Sequence, residues 1–259
     1  LAAAANAGDT EQVTDITSSD RVRVGLVLGG GGARGAAHIG VLRELERMRI
    51  PIDAIAGTSM GAIVGGLYAS GMSVEDLEKL VAGMDWADAM SDEPERRDLR
   101  FRRRQDARDF PVDLDIGLER GRLRLPLGVV QGQKLDLILR NLTLPVSQVS
   151  DFDDLPIPFR AIASDIETGE MHVMHSGDLA LAIRASMSVP GVLAPVSVDG
   201  HLLVDGGLVG NLPVDIVRDM GVDVVIAVDV EFPLYTLAEL QSAITVSEQM
   251  LTILIRKET

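Results

Sequence analysis

Two glycine-rich segments of this 259-residue chain carry residues suited to nucleophilic chemistry. Residues 29–35 read GGGGARG, and residues 57–61 read GTSMG with Ser59 at the centre. Each segment follows an apolar run of strand length and precedes a run with helical spacing. Backbone N–H groups at such a strand-to-helix turn favour negative charge, and a serine on such a turn is exposed as a nucleophile. The two segments therefore predict an anion cradle beside a nucleophilic serine.

The glycine run also fits a nucleotide-binding pattern. Gly30, Gly32 and Gly35 satisfy the G-x-G-x-x-G spacing of dinucleotide sites. That fingerprint needs an acidic residue near the end of the second strand, where it binds the ribose hydroxyls. Asp53 is predicted at the start of that strand, which is the wrong end to reach the cofactor crevice. The glycine spacing keeps a dinucleotide-binding oxidoreductase as the alternative hypothesis, and the position of Asp53 makes it the weaker one.

A nucleophilic serine needs a positioned general base, and the histidines of this sequence are poorly placed for that role. His172, His175 and His201 fall in strand-like or turn-like segments, so we interpret them as surface or edge-strand residues. Residues 202–204 form a predicted strand that leads directly into Asp205. Because parallel sheets gather their active sites at the C-terminal ends of strands, Asp205 is the preferred candidate for the base.

The segments that would position these residues alternate between strand and helix patterns. Apolar runs predict strands at 22–28, 52–56, 159–165, 171–175, 202–204 and 222–230. Helical spacing predicts helices after residue 35 and at 60–70, 133–142 and 179–188, with a last short helix from Pro213. This alternation predicts an α/β fold with a central, mostly parallel sheet flanked by helices.

Three motifs taken together resemble those of the patatin-like phospholipases. Members of that family combine an oxyanion loop of glycines ending in Arg/Lys-Gly, a G-x-S-x-G serine and a D-G-[GA] aspartate. Residues 30–35, 57–61 and 205–207 match these motifs in that order, and residues 185–191 are similar to the family's serine-rich helix end. Gly29 departs from the aspartate that plant members carry at that position. The resemblance covers the chain from about Val22 to Val230 and implies a three-layer patatin-like fold.

The resemblance implies a lipid acyl hydrolase of phospholipase A or lysophospholipase type that uses a Ser–Asp dyad. Ser59 would attack the ester carbonyl, Asp205 would take the hydroxyl proton, and water would hydrolyse the acyl-enzyme. The implied oxyanion loop comprises Gly30, Gly31, Gly32, Ala33, Arg34 and Gly35, and the nucleophile turn includes Gly57 and Gly61. A phospholipid and the membrane surface are the expected partners, without cofactor or metal. A catalytically silent lipid-binding module is the second alternative.

Composition narrows the classes of function. The formal net charge of -15 excludes general nucleic-acid binding, which needs a basic face. The absence of cysteine excludes disulfides, thiolate metal sites and a cysteine nucleophile. Seven arginines nevertheless cluster within residues 96–108. This basic cluster predicts either a docking surface for anionic lipid or a solvated loop neutralised by neighbouring acidic residues.

The pattern along the chain predicts three parts. Residues 1–20 are a disordered leader, residues 21–232 the catalytic domain with a lid or surface insertion at 85–130, and residues 233–259 an apolar helix. That helix predicts a homodimer contact or a junction to a further domain. Residues 1–7 are similar either to the end of a secretory signal sequence or to a flexible alanine-rich leader. The chain thus resembles the passenger domain of secreted patatins linked to a transporter barrel, with a secreted or cell-surface location expected and a cytoplasmic one as the alternative.

Overall fold

A computed structural model of the chain describes residues 21–91, 117–119, 122–124, 130–230, 233–241 and 243–257. The predicted leader at residues 1–20 and the basic cluster at 96–108 lie outside these ranges, as does most of the proposed insertion at 85–130.

The described residues alternate between strands and helices over most of the chain. The strands are β1 (Val24–Leu28), β2 (Ala54–Thr58), β3 (Gly117–Glu119), β4 (Arg122–Arg124), β5 (Phe159–Asp165), β6 (Met171–Met174), β7 (Val196–Val198), β8 (His201–Asp205) and β9 (Val224–Val228). The α-helices are α1 (Ala37–Arg47), α2 (Met60–Ala69), α3 (Val74–Gly83), α4 (Trp86–Ala89), α5 (Gln133–Leu142), α6 (Leu179–Ser186), α7 (Val214–Asp219) and α8 (Ala243–Lys257). Short 3-10 helices lie at Gly32–Ala36, Leu144–Val146, Phe152–Asp154 and Gly206–Leu208.

Seven of the described strands form one mixed sheet. Hydrogen-bonded neighbours follow the order β7-β8-β5-β2-β1-β9, and β6 pairs with β5. The strands β9, β1, β2 and β5 pair in parallel, whereas β8 and β6 pair antiparallel with β5, and β7 pairs antiparallel with β8. The prediction of a mostly parallel sheet flanked by helices is confirmed. The direction of β8 differs from the parallel orientation that the choice of Asp205 assumed, because β8 returns along β5 after the β7 hairpin.

The central strands are buried on both faces. Leu26 and Leu28 of β1 point into the larger hydrophobic core, which is built with the helices that include α1, α2, α5 and α6. Val27 of β1 and Ala56 of β2 point to the opposite face, where they pack with Val217 of α7. Strands covered on both sides read as continuous apolar runs, which is why the sequence predicted these strands directly. The helices on the two faces and the sheet between them make three layers.

Local sequence sets the ends of the helix that leads to the site. The Asp178 side chain caps α6 by accepting a hydrogen bond from the Ala180 N–H at 2.9 Å. The helix ends at Ser186, two residues before the predicted end, and Pro190 follows.

No helix within the described ranges combines the length and the apolar character needed to cross a membrane.

Candidate active site

Ser59 lies on the sharp turn between β2 and α2. Its backbone has φ 55° and ψ −121°, a conformation that strains any residue with a side chain. The Ser59 N–H donates to Ser186 Oγ at 3.0 Å, and its carbonyl accepts from the Ala62 N–H at 2.9 Å. These hydrogen bonds hold the turn, and Ser59 lines the pocket beside it.

The nucleophile turn requires close approach of three backbone segments. A Cβ atom at Gly61 would lie 2.0 Å from the Leu28 carbonyl oxygen, and one at Gly57 would lie 2.4 Å from the Gly61 carbonyl oxygen. Both distances are shorter than real Cβ contacts, so no side chain fits at either position. The first turn of α2 therefore packs directly against the ends of β1 and β2.

Asp205 reaches Ser59 because β2 and β8 meet end to end along one edge of β5. Thr58 of β2 pairs with Ile162, and Asp205 of β8 pairs with the next residue of β5, Ala163. Strand β6 pairs with both of these β5 residues and therefore occupies the opposite edge. Since β2 is parallel and β8 antiparallel to β5, their C-terminal ends face each other. Strand pairing itself brings Ser59 next to Asp205.

Hydrogen bonds fix both the side chain and the backbone of Asp205. The carboxylate accepts from the Gly207 N–H at 2.8 Å and from the Ser59 side chain. The backbone carbonyl of Asp205 accepts from Ser164 Oγ at 2.8 Å, and its N–H donates to the Ser188 carbonyl at 2.9 Å. Asp205 is only 6% exposed, so water has little access to the carboxylate.

Burial raises the pKa of Asp205 to about 6, although the hydrogen bonds from Ser59 and the Gly207 N–H act to lower it. A carboxylate with such a pKa remains ionised at neutral pH. It is also a stronger base than an aspartate in water, because its charged form is poorly solvated. The environment of Asp205 therefore suits a general base.

The glycine loop after β1 lies against Ser59. A Cβ atom at Gly30 would lie 3.1 Å from Ser59 Cβ, so the loop backbone packs on the serine. The Gly31 carbonyl accepts from the Arg34 N–H at 3.1 Å, which turns the chain into the 3-10 helix Gly32–Ala36. The loop backbone thus runs alongside the side chain that would attack a substrate.

The remaining loop residues face different surroundings. Ala33 and Arg34 are exposed, and Arg34 lines the pocket, whereas Gly35 is buried against Met60 at the start of α2. The Gly30 N–H donates to Asn211 Oδ1 at 3.0 Å. That amide is engaged within the protein, unlike a donor reserved for a ligand.

A cavity of about 420 Å³ opens beside Ser59 and Asp205. The glycine loop contributes to its lining, and so does much of the chain after β9. The lining residues from that part are Pro233, Leu234, Tyr235, Glu239, Thr252, Ile255 and Arg256. Helix α8, which was predicted to lie beyond the catalytic domain, therefore contributes to this pocket. The apolar lining and the few polar groups suit a ligand with an apolar body and one polar reactive group.

Residues 26–218 match the patatin-like phospholipase family. The chain belongs to this family. The match runs from β1 to α7 and includes the glycine loop, the Ser59 turn and Asp205.

Patatin-like relatives occur in animals and bacteria. The chain is 38% identical over 212 residues to a patatin-like phospholipase domain-containing protein of Caenorhabditis elegans, covering 80% of this chain and 13% of that protein. It is 36% identical over 213 residues to an uncharacterized NTE family protein of Mycobacterium bovis, covering 82% of this chain and 50% of that protein. The chain thus matches half or less of the length of these two relatives.

A solved structure shares the patatin-like fold. The crystal structure of VipD from Legionella pneumophila superposes with a TM-score of 0.50 at 18% sequence identity, covering 88% of this chain and 52% of that chain. At this identity the likeness concerns the fold alone.

The strand histidines of this patatin-like chain lie outside the pocket. His201 Nδ1 lies 2.7 Å from Asp165 Oδ2, and its ring centroid is 4.7 Å from that of His172. His201 begins β8 and Asp205 ends it, so about 13 Å of extended strand separates them. Among the residues described, no histidine lines the cavity beside Ser59. His172 lies on the edge strand β6, and His201 is exposed on β8, which pairs with both β5 and β7. This arrangement agrees with the interpretation of the histidines as surface or edge-strand residues.

The acidic residue of the dinucleotide hypothesis lies at the far end of the patatin-like sheet. Asp53 precedes β2, and its carboxylate accepts from Arg21 Nη1 and from the Val24 N–H, both at 2.8 Å. Ser59 follows the other end of the same strand. Asp53 is therefore too far from the glycine loop to bind a ribose held there.

Three residues outside the predicted set contact this patatin-like site. Ser186 Oγ accepts from the Ser59 N–H and donates to the Ile162 carbonyl at 2.5 Å. Its position within the serine-rich segment was a usable sequence signal. Asn211 follows Asp205 by six residues, and His38 lies in the first turn of α1. Neither residue type suggested a role by itself, because the contacts of both depend on the packing of distant segments.

A buried arginine supports the pocket wall. Arg184 is 3% exposed and donates to Ser188 Oγ at 2.6 Å and to the Gln131 carbonyl at 3.0 Å. These contacts join the segment before α5 to the segment after α6. The latter segment supplies Val189 and Pro190 to the pocket.

Proposed function

We propose that this chain hydrolyses carboxylic ester bonds of phospholipids or lysophospholipids, with Ser59 as nucleophile and Asp205 as general base. The observation that carries the proposal is the hydrogen bond from Ser59, on its strained turn, to the buried Asp205 carboxylate, whose pKa is raised to about 6. Family membership supports a lipid substrate. The apolar cavity beside the pair supports an acyl chain as the group bound there.

The first half of the reaction transfers the acyl group to the enzyme. Ser59 Oγ attacks the ester carbonyl carbon while the Asp205 carboxylate takes the hydroxyl proton. The bond between the carbonyl carbon and the alcohol oxygen then breaks, and Asp205 returns the proton to that leaving oxygen. The products are the alcohol portion of the lipid and an ester of Ser59.

The second half releases the fatty acid. A water molecule gives a proton to Asp205 and attacks the acyl carbon of the Ser59 ester. The bond to Ser59 Oγ breaks, and the serine recovers the proton from Asp205. A buried base of raised pKa serves both halves because it accepts a proton readily and releases it at neutral pH.

The negative charge on the attacked carbonyl oxygen needs hydrogen-bond donors. We assign this role to the N–H groups of Gly31 and Gly32, because Gly30 already donates to Asn211. Each such donor contributes about 3–4 kcal/mol to the stability of the transition state. Ala33, Arg34 and Gly35 then shape the loop rather than bind the oxyanion.

The entrance to the pocket fits a phospholipid surface. Arg34 and Arg256 are exposed residues of the pocket lining and offer positive charge for a lipid phosphate. Leu237 is 89% exposed and Met250 62% exposed on the segments that form the outer wall. Apolar side chains beside cationic ones are typical of surfaces that enter a lipid interface. The homodimer contact, the linked barrel and the secreted location stay predictions.

An active-site probe tests the nucleophile. A fluorophosphonate should add its mass to the peptide that contains Ser59, and Ser59→Ala should abolish that addition. Ser147→Ala, at an exposed serine outside the pocket, is the matched control and should label like the parent chain. Labelling of Ser59→Ala at unchanged thermal stability would contradict the assignment.

Product analysis tests the reaction class. Vesicles of a phosphatidylcholine with two different acyl chains should yield a free fatty acid and the complementary lysophospholipid, both identified by mass spectrometry. Binding to the vesicles without either product would favour the silent lipid-binding module. Binding of NAD with Ser59 inert to the probe would favour the oxidoreductase.

A further inference from the structure

One peptide group of the glycine loop is held from both sides by buried side chains. The Gly29 carbonyl accepts from His38 Nε2 at 2.8 Å, and the N–H of the same peptide group, on Gly30, donates to Asn211 Oδ1 at 3.0 Å. His38 is fully buried and Asn211 is 1% exposed. The two side chains come from α1 and from the loop before α7, which are distant in sequence.

This peptide group is the first beyond the sheet. The Gly29 N–H still donates to the Val228 carbonyl of β9 at 3.1 Å, which is a ladder contact. The next peptide group, between Gly29 and Gly30, is instead hydrogen-bonded by the side chains of His38 and Asn211. Because the C=O and N–H of a trans peptide point in opposite directions, a donor on one side and an acceptor on the other specify a single orientation.

The same two side chains carry unpartnered buried polar atoms. His38 Nδ1 and Asn211 Nδ2 are the buried side-chain nitrogen or oxygen atoms without a hydrogen-bond partner in the described part of the chain. A buried polar atom without a partner destabilises the fold, so apolar residues of similar size would pack at lower cost. Both positions thus keep a polar group whose stabilising contact is with the Gly29–Gly30 peptide.

The orientation of this peptide matters because of its position. A Cβ atom at Gly30 would lie 2.8 Å from Asn211 Oδ1 and 3.1 Å from Ser59 Cβ. Rotation of the peptide plane would turn the Gly29 carbonyl oxygen toward Asn211, which lines the pocket. A carbonyl oxygen there would repel an oxyanion, and the loop that continues to Gly31 and Gly32 would be displaced.

We propose that His38 and Asn211 are positioning residues that lock the Gly29–Gly30 peptide and thereby preorganise the oxyanion donors of the loop. In the described part of the chain, the hydrogen bonds of both side chains go to this peptide group, and neither is to Ser59 or to the Asp205 carboxylate. His38 holds the carbonyl toward α1, and Asn211 holds the N–H toward itself. The proposal rests on the proposed function, since it assigns these residues a part in that reaction.

The test is a double-variant cycle on the full chain. His38→Leu and Asn211→Leu each remove one hydrogen bond from the peptide, and each should lower kcat for a soluble ester by about 10- to 100-fold with little change in KM. Because both residues act on one peptide group, the double variant should lose little more than the more impaired single variant. His38→Gln, which retains an N–H donor, should recover most of the rate.

Several results would overturn the proposal. Rates like those of the parent chain in folded single variants, multiplicative losses in the double variant, or a loss in His38→Gln as large as in His38→Leu would each contradict it. Should the leucine variants not fold, Asn211→Ala replaces them, with the same loss of kcat expected and a rate equal to that of the parent as the contrary result. Failure of the parent chain to label at Ser59 would instead contradict the proposed function.

Discussion

Ser59 donates a hydrogen bond to Asp205 across the junction where β2 and β8 meet end to end on one edge of β5. The two residues are 146 positions apart in the numbering, yet consecutive pairings on one strand bring them together. Sheet hydrogen bonding therefore fixes their separation more firmly than two loops would. In the described part of the chain, the Asp205 carboxylate accepts hydrogen bonds from Ser59 and from the Gly207 N–H, so strand pairing supplies much of its support.

Removal of the proposed nucleophile, Ser59, should abolish turnover without unfolding the chain. Ser59→Ala removes the hydroxyl group, and kcat for a phospholipid or soluble ester should fall by about 10⁴-fold or more. The fold should persist, because the Ser59 N–H and carbonyl contacts do not involve the hydroxyl. Turnover measured beside circular dichroism of the same sample checks this. Residual activity within tenfold of the parent would argue against Ser59.

The pH dependence of turnover should report the buried base. Because the pKa of Asp205 is raised to about 6, the fraction of ionised base falls as the pH falls through that value. We expect kcat/KM to be constant above about pH 7 and to drop about tenfold for each pH unit well below 6. A profile measured with a soluble ester, free of vesicle effects, checks this. A midpoint near pH 4 would mean that burial does not perturb the base.

Asp205→Asn should abolish the proposed turnover and stabilise the fold. Raising the pKa of a carboxyl from 3.8 to about 6 costs the folded parent chain about 3 kcal/mol once both states are ionised. Stability of the parent should therefore fall as the pH rises from about 4 to about 6, because the unfolded state releases its proton first.

Asp205→Asn lacks this titration. Denaturant unfolding should therefore show a larger free energy of unfolding for the variant than for the parent at pH 8, and little difference between them at pH 4. Equal stability of the two proteins at pH 8 would contradict the buried, ionised state of Asp205. Asp215→Asn is a suitable control, because Asp215 is an exposed carboxylate paired with Arg218 on the surface of α7.

A side chain at the nucleophile turn should destabilise the fold. In Gly61→Ala the new Cβ would lie 2.0 Å from the Leu28 carbonyl oxygen, which forces the backbone apart at the cost of about 1–3 kcal/mol. Labelling of Ser59 by the fluorophosphonate should also decrease in Gly61→Ala, because the Ser59 turn and the glycine loop would separate.

Gly40→Ala is the matched control. Gly40 lies in α1 with no atom within 4 Å of an added Cβ, so alanine should stabilise that helix by about 0.5–1 kcal/mol. Urea unfolding of both variants measures the two effects. A stable, fully labelled Gly61→Ala chain would refute the close approach.

Strong local patterns gave the elements of this fold directly. The predicted helix at 133–142 and the predicted strand at 159–165 coincide with α5 and β5, because their apolar spacing matches one secondary structure. The Ser59 turn and the Asp205 turn were likewise visible as short motifs. Glycines in these two turns are needed because nearby backbone leaves no room for a side chain, and this requirement shows in a short stretch of sequence.

The direction of β8 could not be read from the sequence. An apolar run of strand length looks the same whether the strand pairs in parallel or antiparallel, since side chains alternate in both. Asp205 was predicted at the C-terminal edge of a parallel sheet, whereas its strand pairs antiparallel with β5. Asp205 reaches the serine because its strand runs in the opposite direction.

The sequence by itself determined which residues are candidates for the chemistry, because a glycine loop, a serine turn and an aspartate turn each have a local backbone signature. Tertiary structure decided which of their atoms are engaged. The Gly30 N–H is bound by Asn211, the Gly29 carbonyl by His38, and burial sets the pKa of Asp205. These features depend on contacts between segments far apart in the chain, and such contacts leave no local pattern of residue types.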